Sequence, residues 1–252
     1  MSTGSTTAGS TTLFLARHGE TVWHAENRYA GVSDISLTDR GTAQASALGA
    51  WAEYAGLDAI VTSPLSRARR TAAPAALATG LSPVVEPDLV ELDFGIAEGR
   101  LLSELEATHP SEVAAFRLDP AGHPLPGGEN PDAAAGRGAA ALVRIAAVHP
   151  SQRVLVVAHN TLLRLTLCRL LGIPEREYRR VLPGLVNCAL TELRVTGDQV
   201  ALMSYNVPPL PAPPPAAAPD APAAAPVNQG ARPEFWGSAD CASSKRQGPP
   251  TR

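Results

Sequence analysis

Arg17-His18-Gly19-Glu20-Thr21 closes a short apolar run, Leu13-Phe14-Leu15-Ala16, and a second histidine, His159, closes another, Val154-Leu155-Val156-Val157-Ala158. In an open parallel sheet, ligands bind beyond the carboxyl ends of the strands. If the two runs are neighbouring strands, both imidazoles face one crevice with Arg17 beside them. Two imidazoles and a guanidinium form a receptor for a phosphoryl group. An unprotonated imidazole can attack phosphorus, and a guanidinium holds phosphate oxygens with a planar fork of donors. Arg67 falls in the first turn of a predicted helix, where free backbone amides also favour an anion. Glu91 sits among Glu86, Asp88, Asp93 and Glu98. It is a carboxyl that could carry a proton in catalysis, or one member of a surface acidic run.

These side chains need elements to position them. The two histidine-ending runs have the pattern of strands buried on both faces. Leu37-Thr38-Asp39-Arg40 reads as a helix start with Thr38 as N-cap, and Ala43, Ala47, Leu48 and Trp51 form one face. Leu57 to Val61 reads as a second strand. Ser63 is expected to cap the following helix with Pro64 in its first position. Val84-Val85 is a weak third strand, and Ser103 with Glu106 resembles a capping box. Helices are expected over Ala133 to Val148 and over Thr161 to Leu171, the latter stopped by Gly172 and Pro174. Asn187 to Val195 and Gln199 to Tyr205 read as an edge hairpin. Strands alternating with helices indicate an α/β fold, a three-layer α/β/α sandwich with a mostly parallel central sheet.

Composition separates a folded domain from two tails. Half of the 24 prolines in this 252-residue chain follow Asn206. That Pro/Ala-rich stretch holds too few large apolar residues to offset the entropy of ordering it. Residues 1–11 and 207–252 are therefore expected to be disordered, and residues 12–206 to fold. The net charge of −3 gives no reason to expect nucleic acid or a membrane surface as partner. No apolar run is long enough to span a bilayer, and the N-terminus lacks the pattern of a secretory signal. Cys168, Cys188 and Cys241 form neither a metal-ligand spacing nor a disulfide framework. A cytoplasmic setting fits these features. The Pro-x-x-Pro spacing after Val207 suits groove-binding domains, which leaves a protein partner open.

Five blocks, in order, resemble branch 1 of the histidine phosphatase superfamily, the phosphoglycerate mutase-like branch. They are Leu15-Ala16-Arg17-His18-Gly19-Glu20-Thr21, Leu37 to Ala45, Thr62 to Ala72, Glu91 to Gly99, and Ala158-His159-Asn160. The resemblance implies a phosphoglycerate mutase-like fold and a reaction in which His18 is the nucleophile and is transiently phosphorylated. It makes Arg17, Arg67 and His159 the phosphate pocket and Glu91 the general acid and base. Thr21, His24 and Asn160 are expected at the substrate, although Asn160 could equally cap a helix. Neither a metal nor a cofactor is expected.

Two departures from the family bear on substrate. Where many members have Trp-Asn, this chain has Trp23-His24. His24 can line the substrate entrance, make activity pH-dependent, or be a tolerated loop substitution. Phosphoglycerate mutases of the branch also carry a basic insertion, with an adjacent arginine pair, before the second histidine. Here that interval has only Arg100, Arg117, Arg137, Arg144 and Arg153, together with Pro126-Gly127-Gly128-Glu129-Asn130, which resembles a stretch of the phosphatases. Asn130 would cap the helix that follows. These features favour a phosphomonoesterase acting on small phosphorylated metabolites. The alternatives are a 2,3-bisphosphoglycerate-dependent phosphoglycerate mutase and a catalytically weak domain that binds a phosphorylated ligand or a protein. Residues 96–130 are expected to form the cap over the pocket.

Overall fold

The computed structural model describes residues 9–210. Most of the two expected disordered tails, and Cys241, lie outside the described residues. Within them, β1 (Thr11–Arg17) starts and β6 (Gln199–Val207) ends one residue beyond the expected 12–206 limits. The other strands are β2 (Ala59–Thr62), β3 (Val84–Val85), β4 (Arg153–Ala158) and β5 (Leu190–Thr196). The α-helices are α1 (Asp39–Ala52), α2 (Ser66–Thr79), α3 (Leu102–Glu106), α4 (Pro110–Leu118), α5 (Pro131–Val148), α6 (Asn160–Leu171) and α7 (Tyr178–Val181).

The six strands form one sheet in the order β3-β2-β4-β1-β5-β6. The first four are mutually parallel, while β5 runs antiparallel to β1 and β6 antiparallel to β5. Alternation along β1 divides the core between the sheet's two faces. Phe14 and Ala16 pack with Leu48 and Ala52 of α1 and Ala68, Ala72 and Ala75 of α2. Leu13 and Leu15 pack with Leu142 and Ile145 of α5 and Leu162, Leu163 and Leu165 of α6. The expected three-layer α/β sandwich is present. β4 fills the centre, and its Val154 through Ala158 are completely buried. That accounts for the unbroken apolar run: neither face of the strand meets water.

The central pairing positions the site. β1 and β4 are neighbours in register, Arg17 opposite Ala158, so His18 and His159 stand one residue beyond matched strand ends. β2 pairs with β4 through Thr62 and Val157, bringing Ser63 to the same edge. Gly19 and Gly41 let the chain after β1 lie against the start of α1. A Cβ on Gly19 would stand 2.5 Å from Gly41 O, and one on Gly41 would stand 2.0 Å from Glu20 O. Either substitution forces backbone apart.

Several caps follow expectation and others correct it. Thr38 Oγ1 accepts from Gly41 N (2.9 Å), and Asn130 Oδ1 from Asp132 N (2.8 Å). Ser63 is not the cap of α2, which starts at Ser66 with Leu65 as N-cap. A distant residue takes that role, with Asp34 Oδ1 accepting from Ser66 N (2.9 Å). Ser63 contributes its hydroxyl to His159 instead. Nor does Ser103 open a capping box. Helix α3 starts after Leu101, whose N–H donates to Glu104 (3.1 Å).

Candidate active site

His18 is held by backbone on both sides. Its N–H donates to Ala158 O (3.0 Å), Cys188 N donates to Arg17 O (2.8 Å), and Asn187 Nδ2 donates to His18 O (2.8 Å). The ring Nδ1 lies 2.7 Å from Gly19 O. A carbonyl only accepts, so Nδ1 carries the ring proton and Nε2 presents its lone pair. Burial, reinforced by the positive charges of Arg17 and Arg67, holds the His18 pKa well below 6.5. The ring is therefore neutral at pH 7 and can act as a nucleophile.

His159 lies 5.2 Å from His18, ring centre to ring centre. Its Nε2 is 2.7 Å from Ser63 Oγ, which also accepts from Leu65 N (3.3 Å). The Ser63 hydroxyl proton can then go to Nε2, which puts the ring proton on Nδ1. That Nδ1 is buried and has no hydrogen-bond partner in the protein. Burial, then the charge of Arg67, pushes the His159 pKa well down.

Both arginines are partly committed and partly free. Arg67 is completely buried, and its terminal nitrogens donate to Ser33 O (2.6 Å) and Gly31 O (2.5 Å). Arg17 donates to Leu185 O (2.7 Å) and meets His24 Nε2 (2.5 Å). In each, Nε is buried without a protein partner. Burial lowers both pKa values, that of Arg17 to about 10, and both remain cationic at neutral pH. Buried polar atoms in folded proteins nearly always have partners. Three of the four orphans among the described residues are Arg17 Nε, Arg67 Nε and His159 Nδ1. They belong to the three side chains predicted to bind phosphate.

Glu91 is 4 % exposed and faces the start of α6. Its Oε1 accepts from Leu92 N (2.8 Å) and Leu162 N (2.7 Å), and its Oε2 from Thr161 N (2.9 Å). The carboxylate thus occupies amides that a helix N-terminus would otherwise offer to an anion. Burial outweighs these hydrogen bonds and raises the Glu91 pKa. A proton on this carboxyl belongs on Oε2, which accepts one N–H rather than two. The neighbouring carboxylates have other work. Asp93 Oδ1 accepts from Gly95 N, and Glu98 ties Gly31, Ser33 and Phe94 together.

A cavity of about 700 Å³ opens over these groups, lined by Arg17, His18, Thr21, His24, Glu91 and Asn160 among others. Arg67 and His159 are completely buried next to this site. His24 is half-buried. Its Nδ1 accepts from Thr21 N (3.0 Å) and also meets Thr21 Oγ1 (2.8 Å). Burial, then the charge of Arg17, pushes its pKa down to about 4. Asn160 lines the cavity as expected. It is the first helical residue rather than a cap, and its Oδ1 accepts from Leu185 N (3.1 Å).

The cap over the cavity has two parts. The expected one supplies Leu101, Leu102, Ser103 and Arg117. A second, not foreseen, comes from α6, α7 and the loop after it, with Arg164, Tyr178, Arg179 and Pro183. Arg164 had a visible signal, a charge inside the apolar run Leu162-Leu163-Arg164-Leu165, one turn after Asn160. Arg137 was also missed. It forks onto Glu129 (2.7 and 2.8 Å) and donates to the carbonyls of Asp88 (2.7 Å), Val90 (2.7 Å) and Glu91 (3.2 Å). This clamp fastens the Glu91 segment to α5. Among the described residues, no group of three or more His, Cys, Asp and Glu is arranged to hold a metal ion.

Comparison with known proteins shows what the chain resembles. The model of the histidine phosphatase superfamily (branch 1) matches residues 13–208. A probable phosphoglycerate mutase GpmB from Erwinia tasmaniensis is 35% identical over 181 residues, covering 72% of this chain and 83% of the relative. The solved structure of a mycobacterial glucosyl-3-phosphoglycerate phosphatase superposes with a TM-score of 0.71 at 27% identity, covering 79% of this chain and 99% of that one. The α-ribazole phosphatase of Shigella flexneri gives 0.69 at 27% identity, covering 77% and 96%.

Proposed function

The chain belongs to branch 1 of the histidine phosphatase superfamily, and from that premise we propose that it is a phosphomonoesterase hydrolysing small phosphorylated metabolites through a phosphohistidine at His18. One observation carries the reading. Arg17 Nε, Arg67 Nε and His159 Nδ1 are buried and lack protein partners, the His159 ring lies 5.2 Å from that of His18, both arginine charges act on His18, and the His18 Nε2 lone pair is free. A phosphoryl group satisfies all three donors as its charge develops in the transition state.

In the first half-reaction, His18 Nε2 bonds to phosphorus while the ester P–O bond breaks, and Glu91 gives its proton to the departing oxygen. In the second, Glu91 as carboxylate takes a proton from water. The water oxygen bonds to phosphorus, the N–P bond breaks, and phosphate leaves with Glu91 protonated again. A folded domain over residues 12–206, extended by one residue at each end by β1 and β6, with the remaining segments as tails, goes with this reading, as does a cytoplasmic setting where such metabolites occur.

The names of relatives such as the Erwinia protein favour a second reading, a phosphoglycerate mutase. There the phosphohistidine is attacked by the alcohol of an acceptor instead of by water. Phosphate release from a panel of monoesters, measured beside 3-phosphoglycerate isomerisation, separates the two. Release of phosphate is expected, together with acid-labile labelling that His18→Ala abolishes. Isomerisation without release would establish the mutase, and ordinary turnover by His18→Ala would overturn the nucleophile assignment. Absence of both activities would return weight to a phospho-ligand-binding domain.

A further inference from the structure

The lining of the cavity carries more positive charge than one phosphate needs. Five arginines line the cavity: Arg17, Arg28, Arg117, Arg164 and Arg179. Two are neutralised locally, Arg28 by Glu26 and Glu104 and Arg117 by Glu106. Arg17 belongs to the phosphate pocket. Arg164 and Arg179 have no carboxylate within 4.0 Å among the described residues. The two carboxylates on the wall are already engaged, Glu26 with Arg28 and Glu91 with three backbone N–H groups.

Arg164 is 5 % exposed. Its Nε donates to Leu182 O (2.5 Å), and its guanidinium stacks on Tyr178 at 4.6 Å. Arg179 stacks on Phe116 at 5.0 Å and donates from Nε to the Tyr178 hydroxyl (3.0 Å). The aromatic rings and single anchoring bonds aim the two guanidiniums without neutralising them. Arg164 is thus a buried cation without a counter-charge, which is costly unless a ligand supplies one, whereas Arg179 is exposed and lines the same cavity without a carboxylate partner.

We propose that the substrate carries a second anionic group, a carboxylate or a further phosphate, and that Arg164 and Arg179 bind it across the cavity from His18. This subsite lies on α6 and α7, after the second histidine, outside the interval in which an arginine pair was sought. The inference rests on the phosphomonoesterase reading only for the position of the first phosphate. It favours phosphorylated acids and bisphosphates over esters with a neutral remainder.

Two ligand pairs test it, each differing mainly in one anionic group: 3-phosphoglycerate against glycerol 3-phosphate, and fructose 1,6-bisphosphate against fructose 1-phosphate. Affinities are measured by calorimetry on full-length His18→Ala, with and without Arg179→Gln, and kcat/KM on the parent enzyme. The member of at least one pair that carries the second anionic group is expected to bind about 10–100-fold more tightly, the range for a charged hydrogen bond. Arg179→Gln should collapse that preference and Arg179→Lys should restore part of it. Equal affinity within both pairs would overturn the subsite, as would a preference that survives Arg179→Gln. If none of the esters is hydrolysed, the phosphatase reading fails, while the binding ratios still decide the subsite.

Discussion

Glu91→Gln tests the proton-transfer assignment because the structure separates its structural cost from its chemical one. The carboxylate accepts three backbone N–H groups. A glutamine carbonyl in the Oε1 position keeps two of them, and its amide nitrogen then opposes Thr161 N–H. One charge-assisted hydrogen bond is lost, about 1.5–3 kcal/mol, offset in part because a neutral amide is cheaper to bury than a carboxylate. The variant should stay folded at 25 °C. Its chemistry should suffer more. Lost acid–base catalysis costs about 10²–10⁴-fold, or about 3–5 kcal/mol of barrier. The loss should depend on the leaving group. An alkyl ester needs the proton in the first half-reaction, whereas a nitrophenyl ester departs as a stable phenolate without it. Dephosphorylation needs the carboxylate for every ester. Rapid-quench assays of Glu91→Gln should therefore show a stoichiometric burst of nitrophenol followed by slow turnover, and no burst with an alkyl phosphate. Equal turnover of wild type and variant, or an equally slow first step for both esters, would refute the assignment.

Other predictions follow from the surroundings of the site. Burial lowers the pKa of His18 and His159 and raises that of Glu91. Both imidazoles stay neutral in the fold while the unfolded chain binds protons below about pH 6.5. Stability should thus fall as pH drops from there, by about 1.4 kcal/mol per unit for each ring, a slope that chemical denaturation at several pH values measures. His24 adds its share down to about pH 4, and the raised Glu91 opposes the fall above the ordinary carboxylate range. The alkaline limb of kcat should lie above the ordinary carboxylate range and disappear in Glu91→Gln. A limb unchanged in that variant would assign it to another group. Glu129→Gln weakens the Arg137 clamp behind Glu91 and should lower kcat with little change in KM, by less than the roughly 10²–10⁴-fold that losing the acid–base group itself costs. A KM effect alone would make the clamp merely structural.

The reaction centre was more legible than the cavity above it, for a physical reason. Arg17, His18 and His159 stand at strand ends, and a strand buried on both faces announces itself as an unbroken apolar run. Arg67 follows from its place in the first turn of α2. Glu91 sits in an irregular segment and was separated from Asp93 and Glu98 only by the motif around it. The structure distinguishes them by what each oxygen accepts. Ser63 looked like a cap because Ser before Pro often is one, yet Asp34 caps α2 from thirty-two residues away, a pairing that no local pattern encodes. Arg164 and Arg179 meet only because α6 and α7 pack together, and Glu129 matters through a clamp formed with the following helix. Such tertiary placements leave weak traces in the order of residues.

The strand order has a consequence for how the protein is made. β1 is synthesised first, but its two neighbours in the sheet, β4 and β5, come from the second half of the described chain. The bonds that steady the main chain of Arg17 and His18 come from the backbones of Ala158 and Cys188 and the side chain of Asn187. On the ribosome, the segment bearing the nucleophile must therefore wait with its apolar side chains unprotected until nearly the whole domain has emerged. A nascent chain halted before Asn187 would contain every residue assigned to phosphate chemistry and still lack the bonds from Asn187 and Cys188 that help to aim the first histidine. Catalytic competence should arrive late and abruptly during synthesis, and the early strand is where a holding chaperone would be most useful.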